Sequence, residues 1–141
     1  MFLIRLVLAL IGAKGISKRP YGGLLDELIQ SSREILRIGC PTPQVKGTTL
    51  WNLGVNLSVR FDENGTKQDL EDSIEAFRDC LAIADHSQPR WIRLHKLGSH
   101  QAKLCFEFNS TNNIDEAIST LNDCLKVYSE MSGIDSGSTR H

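Results

Sequence analysis

Asp69–Ile83, DLEDSIEAFRDCLAI, laid over Asn113–Val127, NIDEAISTLNDCLKV, decides how this chain is read. At this offset of 44 residues Ile74, Asp79, Cys80 and Leu81 meet Ile118, Asp123, Cys124 and Leu125, and seven further positions carry conservative replacements. The same offset lays Leu50, Leu53 and Gly54 on Leu94, Leu97 and Gly98, so LWNLG returns as LHKLG. An offset of 45 lays Leu24–Ile38, LLDELIQSSREILRI, on the same block, with Leu25, Ile29, Arg33, Leu36 and Ile38 identical to their counterparts. One spacing that serves separated segments marks an internal repeat. The chain reads as two full units and half of an earlier one.

Each unit reads as two helices. Leu70, Ile74, Phe77 and Leu81 fall at i, i+4, i+7 and i+11, one stripe of a 3.6-residue helix, while Glu71, Asp72, Glu75 and Asp79 lie off it. Asn64-Gly65 supplies turn chemistry between the helices of the central unit. Thr66 with Asp69, and Asn112 with Asp115, have the spacing of capping boxes. Pro89 is expected at the first position of the next helix. A helix pair cannot bury its apolar stripe alone, so successive pairs are expected to stack. Small residues recurring in phase then mark close contacts: Gly54 and Gly98, Ser73 and Ala117, Cys80 and Cys124. Glycine within a helix costs about 0.5–1 kcal/mol against alanine, so its return in phase points to a close approach.

The 141 residues are 40% hydrophobic and 23% charged, with a formal net charge of -1. That balance gives no global field toward nucleic acid or an anionic membrane, and neither is expected as a partner. Cys40, Cys80, Cys105 and Cys124 show no Cys-x-x-Cys spacing, so reduced thiols in a cytoplasm are the expectation. Met1–Ala13, MFLIRLVLALIGA, is apolar apart from Arg5. It is too short to span a bilayer, which takes about 20 apolar residues, and reads either as a first packing helix or as a signal peptide. The packing reading has partial support, because at the 45-residue offset Leu8 and Ala9 fall where Leu53 and Gly54 do, whereas Arg5 meets Leu50 and Gly12 meets Leu57. The divisions follow: an apolar and basic segment over 1–21, repeats over 22–131 (22–45, 46–89 and 90–131), and a polar tail over 132–141.

Leu50, Leu53, Gly54, Ser73, Phe77 and Cys80, then Leu94, Leu97, Gly98, Ala117, Leu121 and Cys124, form a pattern that resembles the tetratricopeptide repeat. The period of 44 exceeds the usual repeat of about 34 residues, the difference lying in the connections. The central unit is similar in particular to the long-period tetratricopeptide-like arrays of filamentous fungi found beside caspase-like CHAT protease domains. In the last unit Gln101, Leu104 and Cys105 stand where Leu57, Arg60 and Phe61 stand in the central one. The resemblance implies an all-α fold, a tetratricopeptide-like α-solenoid of stacked antiparallel helical hairpins, and a concave groove lined by the first helices. It implies groove-facing positions at Trp51, Asn52, Val55 and Ser58 in one unit and His95, Lys96, Ser99 and Lys103 in the next.

Catalytic chemistry finds no footing. Cys80 and His86 are near in sequence, but Cys80 sits beside the buried stripe, and an active thiol needs exposure and a positioned base. His95, His100 and Cys105 are five residues apart, which puts them on different helix faces and not on the i, i+4 pairing metals favour. No phosphate loop, dinucleotide fingerprint or nucleophile elbow occurs, and no cofactor or metal is expected. The groove chemistry suits a peptide: Asn52 both donates and accepts, Trp51 offers an apolar face, and Lys96 or Lys103 can meet a carboxylate. The expected function is therefore a non-enzymatic protein- or peptide-binding scaffold, with self-association through uncapped repeat ends as a further expectation. One alternative is a regulatory repeat fragment of a larger CHAT-type protease or signalling protein. Another is a small secreted glycoprotein, for which Asn56-Leu57-Ser58, Asn64-Gly65-Thr66 and Asn109-Ser110-Thr111 supply acceptor triplets.

Overall fold

The computed structural model describes residues 22–84, 87–111 and 113–133. Among them lie five helices and no strand: α1 (Gly22–Ile38), α2 (Pro43–Asn64), α3 (Lys67–Leu81), α4 (Arg90–Glu107) and α5 (Ile114–Ser132). The fold is all-α. The expectations placed on Met1–Ala13, His86, Asn112 and most of the tail fall outside the described residues. The chain divides into two compact units, Met1–His86 and Ser87–His141.

In the first unit α2 and α3 form an antiparallel hairpin. Pairings run in opposite directions along the two helices: Arg60 with Asp69, Gly54 with Ser73 and Phe77, and Gly47 with Cys80. The turn uses Gly65 at φ 70°, whose N–H donates to the Phe61 carbonyl at 2.7 Å. That left-handed conformation is free of strain only for glycine. Thr42 opens α2 by accepting from the Val45 N–H at 3.1 Å, and Pro43 follows it, a capping pair the repeat pattern did not reveal. Helix α1 packs across the hairpin, and Ile29, Leu53, Leu57 and Ala76 form a core cluster with Leu36 against it.

Two expected helix starts are corrected. Thr66 makes no side-chain cap; its carbonyl accepts from the Asp69 N–H at 3.0 Å, while the Asp69 carboxylate turns away to Arg60. Pro89 is the residue before α4 and not its first residue: with φ −58° and ψ 152° it stays extended, and its carbonyl accepts from the Ile92 and Arg93 N–H groups.

The second unit is the hairpin of α4 and α5, and two contacts of the first return in it displaced by 44 residues, those of the in-phase cysteines and glycines. Cys80 donates to the Gly47 carbonyl at 3.7 Å; Cys124 donates to the Trp91 carbonyl at 3.2 Å. A Cβ placed on Gly54 would lie 2.7 Å from the Phe77 ring, and one on Gly98 would lie 2.7 Å from the Leu121 side chain. Helix–helix approach this close needs a residue without a side chain at the crossing. The repeat inferred from residue spacing is thus a repeat of geometry. Where the second hairpin departs from the sequence of the first it still forms a helix, with Gln101, Leu104 and Cys105 all buried.

Candidate functional site

The eight groove positions divide between the two units. On α2, Trp51, Val55 and Ser58 are half-buried and fall at i, i+4 and i+7, one stripe of the helix, with exposed Asn52 beside it. Trp51 is tied into its own hairpin: its ring meets Phe77 edge to face, centroids 5.5 Å apart at 66°, a favoured aromatic arrangement. It therefore presents part of its ring and anchors the rest. On α4, His95 is exposed, while Lys96, Ser99 and Lys103 are half-buried. The Ser99 hydroxyl donates to the Lys96 carbonyl at 3.2 Å, and His100 Nδ1 lies 2.7 Å from the same oxygen. Ser99 thus already spends its donor on its own helix.

Asn52 also borders a cleft of about 320 Å³ between α1 and α2, lined by Ser32, Ile35, Gln44, Val45, Thr48 and Thr49 besides Asn52. Its walls are mainly apolar, and α2 brings Gln44, Thr48 and Asn52 to it as polar side chains. The Thr49 hydroxyl is turned back onto the Val45 carbonyl at 2.7 Å, which leaves its methyl for the wall. Ligand sites commonly combine apolar walls with a few placed polar groups, at volumes from about 300 Å³. Residue spacing alone does not reveal this cleft, because it depends on how α1 crosses α2; the Thr48-Thr49 pair on the first turns of α2 is the nearest signal.

A second depression of about 280 Å³ has a floor of Leu36, Leu50, Leu53, Leu57 and Ala76 and a rim of Arg33, Asp72, Glu75 and Asp79. Arg33 and Asp72 pair across it at 3.0 Å. Burial holds the Asp79 carboxyl above its ordinary value, and neighbouring Glu75 adds to the rise against the opposing charges of Lys46 and Arg78.

Arg60 holds this architecture together. Its Nε and Nη2 both donate to the Asp69 carboxylate at 2.9 Å, and its Nη1 donates to Asp26 Oδ1 at 2.9 Å. One guanidinium thus joins α1, α2 and α3. The fork matches the carboxylate plane, the strongest geometry for such a pair, and the hydrogen bonds Arg60 donates to Asp69 raise the arginine pKa above its ordinary value. In the second hairpin both partners are replaced together, Leu104 standing for Arg60 and Asn113 for Asp69. A buried carboxylate without its cation would be costly, so the pair is kept or lost as a unit.

Helix α5 exposes an apolar stripe. Ile118 and Leu125, seven residues apart, are 51% and 65% exposed, and Met131 lies further along at 58%. The residues in phase with Ile118 are Ile74 and Ile29, at 4% and 1%. Ile29 shows what such a residue does in this repeat: it packs on the Leu53 and Leu57 side of a following first helix. Tyr128 meets Trp91 edge to face, centroids 5.0 Å apart.

The four cysteines are thiols, none in a disulfide; burial pushes the Cys124 thiol up, the opposite of what a nucleophile needs. Among the described residues no group of three His, Cys, Asp or Glu side chains is placed to hold a metal ion, and no helix is long and apolar enough to cross a membrane. Comparison with known protein families, with curated proteins and with solved structures gives no match. The reading of function therefore rests on the residues themselves.

Proposed function

We propose that the chain is a non-enzymatic protein-binding scaffold built of tetratricopeptide-like hairpins, each of which offers a peptide the exposed side of its own first helix, α2 in one unit and α4 in the other. The observation that carries the reading is the in-phase pair of Asn52 on α2 and Lys96 on α4, with Asn52 exposed beside a largely apolar cleft. An amide can donate to and accept from a peptide main chain, and an ammonium can hold a carboxylate. The near-zero net charge fits a partner met by local contacts and not by long-range steering.

Selection of a random peptide library on the intact chain, followed by titration of the selected peptides, tests the reading. Asn52→Ala and Lys96→Ala are expected to weaken binding about tenfold each, the value of one hydrogen-bonded or charged contact of about 1.4 kcal/mol. Glu27→Ala, on α1, is expected to leave it unchanged. Peptides that bind the double variant as tightly as the wild type would overturn the groove assignment.

A second reading is favoured by α5. Its exposed Ile118 occupies the phase at which Ile29 is covered by a first helix, and exposed Leu125 extends the stripe seven residues on, so this stripe suits a further hairpin, as in a repeat segment that regulates a larger CHAT-type protease or signalling protein. Large exposed apolar stripes of this kind mark interaction surfaces.

A further inference from the structure

We propose that the depression floored by leucines in the first unit is a second docking site, which takes an arginine side chain of a partner peptide between that floor and the carboxylates of Glu75 and Asp79. Three helices build it: α1 brings Arg33 and Leu36, α2 brings its leucines and α3 brings the acidic rim. Leu50, Leu53 and Leu57 recur at i, i+3 and i+7, on a face of α2 roughly a third of a turn from that of Trp51, Val55 and Ser58. The depression is therefore separate from the side of α2 on which the peptide-binding reading rests, and it stands whether or not that reading holds.

One end of the depression already takes an arginine of the chain itself. Arg33 reaches from α1 to α3, where its Nη2 donates to Asp72 Oδ2 at 3.0 Å, and Gln68 Nε2 donates to Asp72 Oδ1 at 2.9 Å. Both oxygens of that carboxylate are thus occupied. The other end offers carboxylates that the chain itself leaves largely unused. Glu75 accepts from Arg78 Nη1 at 2.9 Å, an exposed i, i+3 pair of small worth. The Asp79 carboxylate makes no hydrogen bond or salt bridge among the described residues. Glu75 and Asp79 stand at i, i+4, where like charges repel. Partial burial and Glu75 hold the Asp79 carboxyl above its ordinary value, against Lys46 and Arg78. A cation brought from outside relieves that repulsion. A guanidinium suits the place better than an ammonium, because its fork can serve two carboxylates at once, as Arg60 does with Asp69 and Asp26. Its aliphatic stem can lie on the leucines while its head stays in water. At about 280 Å³ the depression is of side-chain size. The second hairpin lacks the arrangement, since Ser119 stands there for Glu75 beside Asp123.

The test is an amide chemical-shift titration of the isotopically labelled full chain with the capped tripeptide acetyl-Leu-Arg-Leu-amide. The same tripeptide with citrulline in place of arginine keeps the shape and removes the charge. The expected result is a set of saturable shifts at Leu36, Glu75, Ala76 and Asp79. Binding should be about tenfold weaker for the citrulline peptide, which loses both ion pairs, and about threefold weaker in Asp79→Asn, which loses one. Asp123→Asn, in the second hairpin, should leave the affinity unchanged. Equal affinity for the two tripeptides, undiminished affinity in Asp79→Asn, or shifts that do not saturate would each overturn the proposal. Shifts only at Trp51, Asn52 and Val55 would overturn it while upholding the peptide-binding reading, so the two fail separately.

Discussion

Replacing Gly54 by alanine asks whether the hairpin closes on a direct helix–helix contact. A Cβ at this position would stand 2.7, 2.8 and 2.9 Å from three ring atoms of Phe77, well inside contact distance. The ring has little freedom to yield: Phe77 is 1% exposed and meets the edge of Trp51. Overpacking of a filled core costs about 1–3 kcal/mol, and the better helix propensity of alanine returns about 0.5–1 kcal/mol. The net expectation is a loss of about 0.5–2 kcal/mol, or several degrees in Tm, since about 1 kcal/mol moves a unit of this size by ~4–8 °C. Urea and thermal melts followed by circular dichroism give the number. The decisive arm is the same substitution in a Phe77→Val background, which removes the clashing ring atoms. There the added methyl fills vacated space, and Gly54→Ala should become neutral or stabilising. If Gly54→Ala stabilises the wild-type chain as it would an open helix, or if its effect is equal in both backgrounds, the close contact is not what holds Gly54 in place.

Three further outcomes are expected. Arg60→Leu strands the Asp69 carboxylate, only 5% exposed, and should destabilise the chain by about 2–4 kcal/mol; the double variant Arg60→Leu with Asp69→Asn, which copies Leu104 and Asn113 of the second hairpin, should recover much of that in urea melts. Gln101 is 2% exposed with neither amide atom hydrogen-bonded, so Gln101→Leu, which restores the residue of the first hairpin, should raise stability by about 1–3 kcal/mol in the same assay. The Asp79 carboxyl is held above its ordinary value of 3.8 by burial and Glu75, so the folded chain binds that proton more tightly than the unfolded one and the ionised group opposes folding. Asp79→Asn should therefore raise Tm near pH 7, with a gain that fades as the pH falls through the raised folded-state value and is gone below the unfolded one, read from melts across the pH range.

The hairpin was legible because its two copies obey one spacing. Gly54 and Gly98, or Cys80 and Cys124, each return in phase, and a helix glycine kept in phase has few explanations other than close packing. The Arg60–Asp69 clasp was not legible, since its partners sit on either side of a turn and Asp69 looks like a capping residue three places after Thr66. Only the three-dimensional crossing shows the carboxylate facing α2 and not its own helix end. Trp51 reads in the sequence as a groove residue, and its edge-to-face contact with Phe77 shows that packing claims part of the ring. The α1–α2 cleft escaped for a different reason: it is a property of two helices' relative placement, and its lining residues share no motif. Exposed groove positions such as Asn52 and His95 are set by the phase of the helix; what they bind is decided by a partner's chemistry.

The most direct measurement of the central claim is an amide chemical-shift map of the isotopically labelled chain titrated with a library-selected peptide. The account predicts that the shifts gather on residues 48–58 of α2 and 95–103 of α4. Shifts confined to α3 and α5, with Asn52 and Lys96 unmoved at saturation, would contradict it.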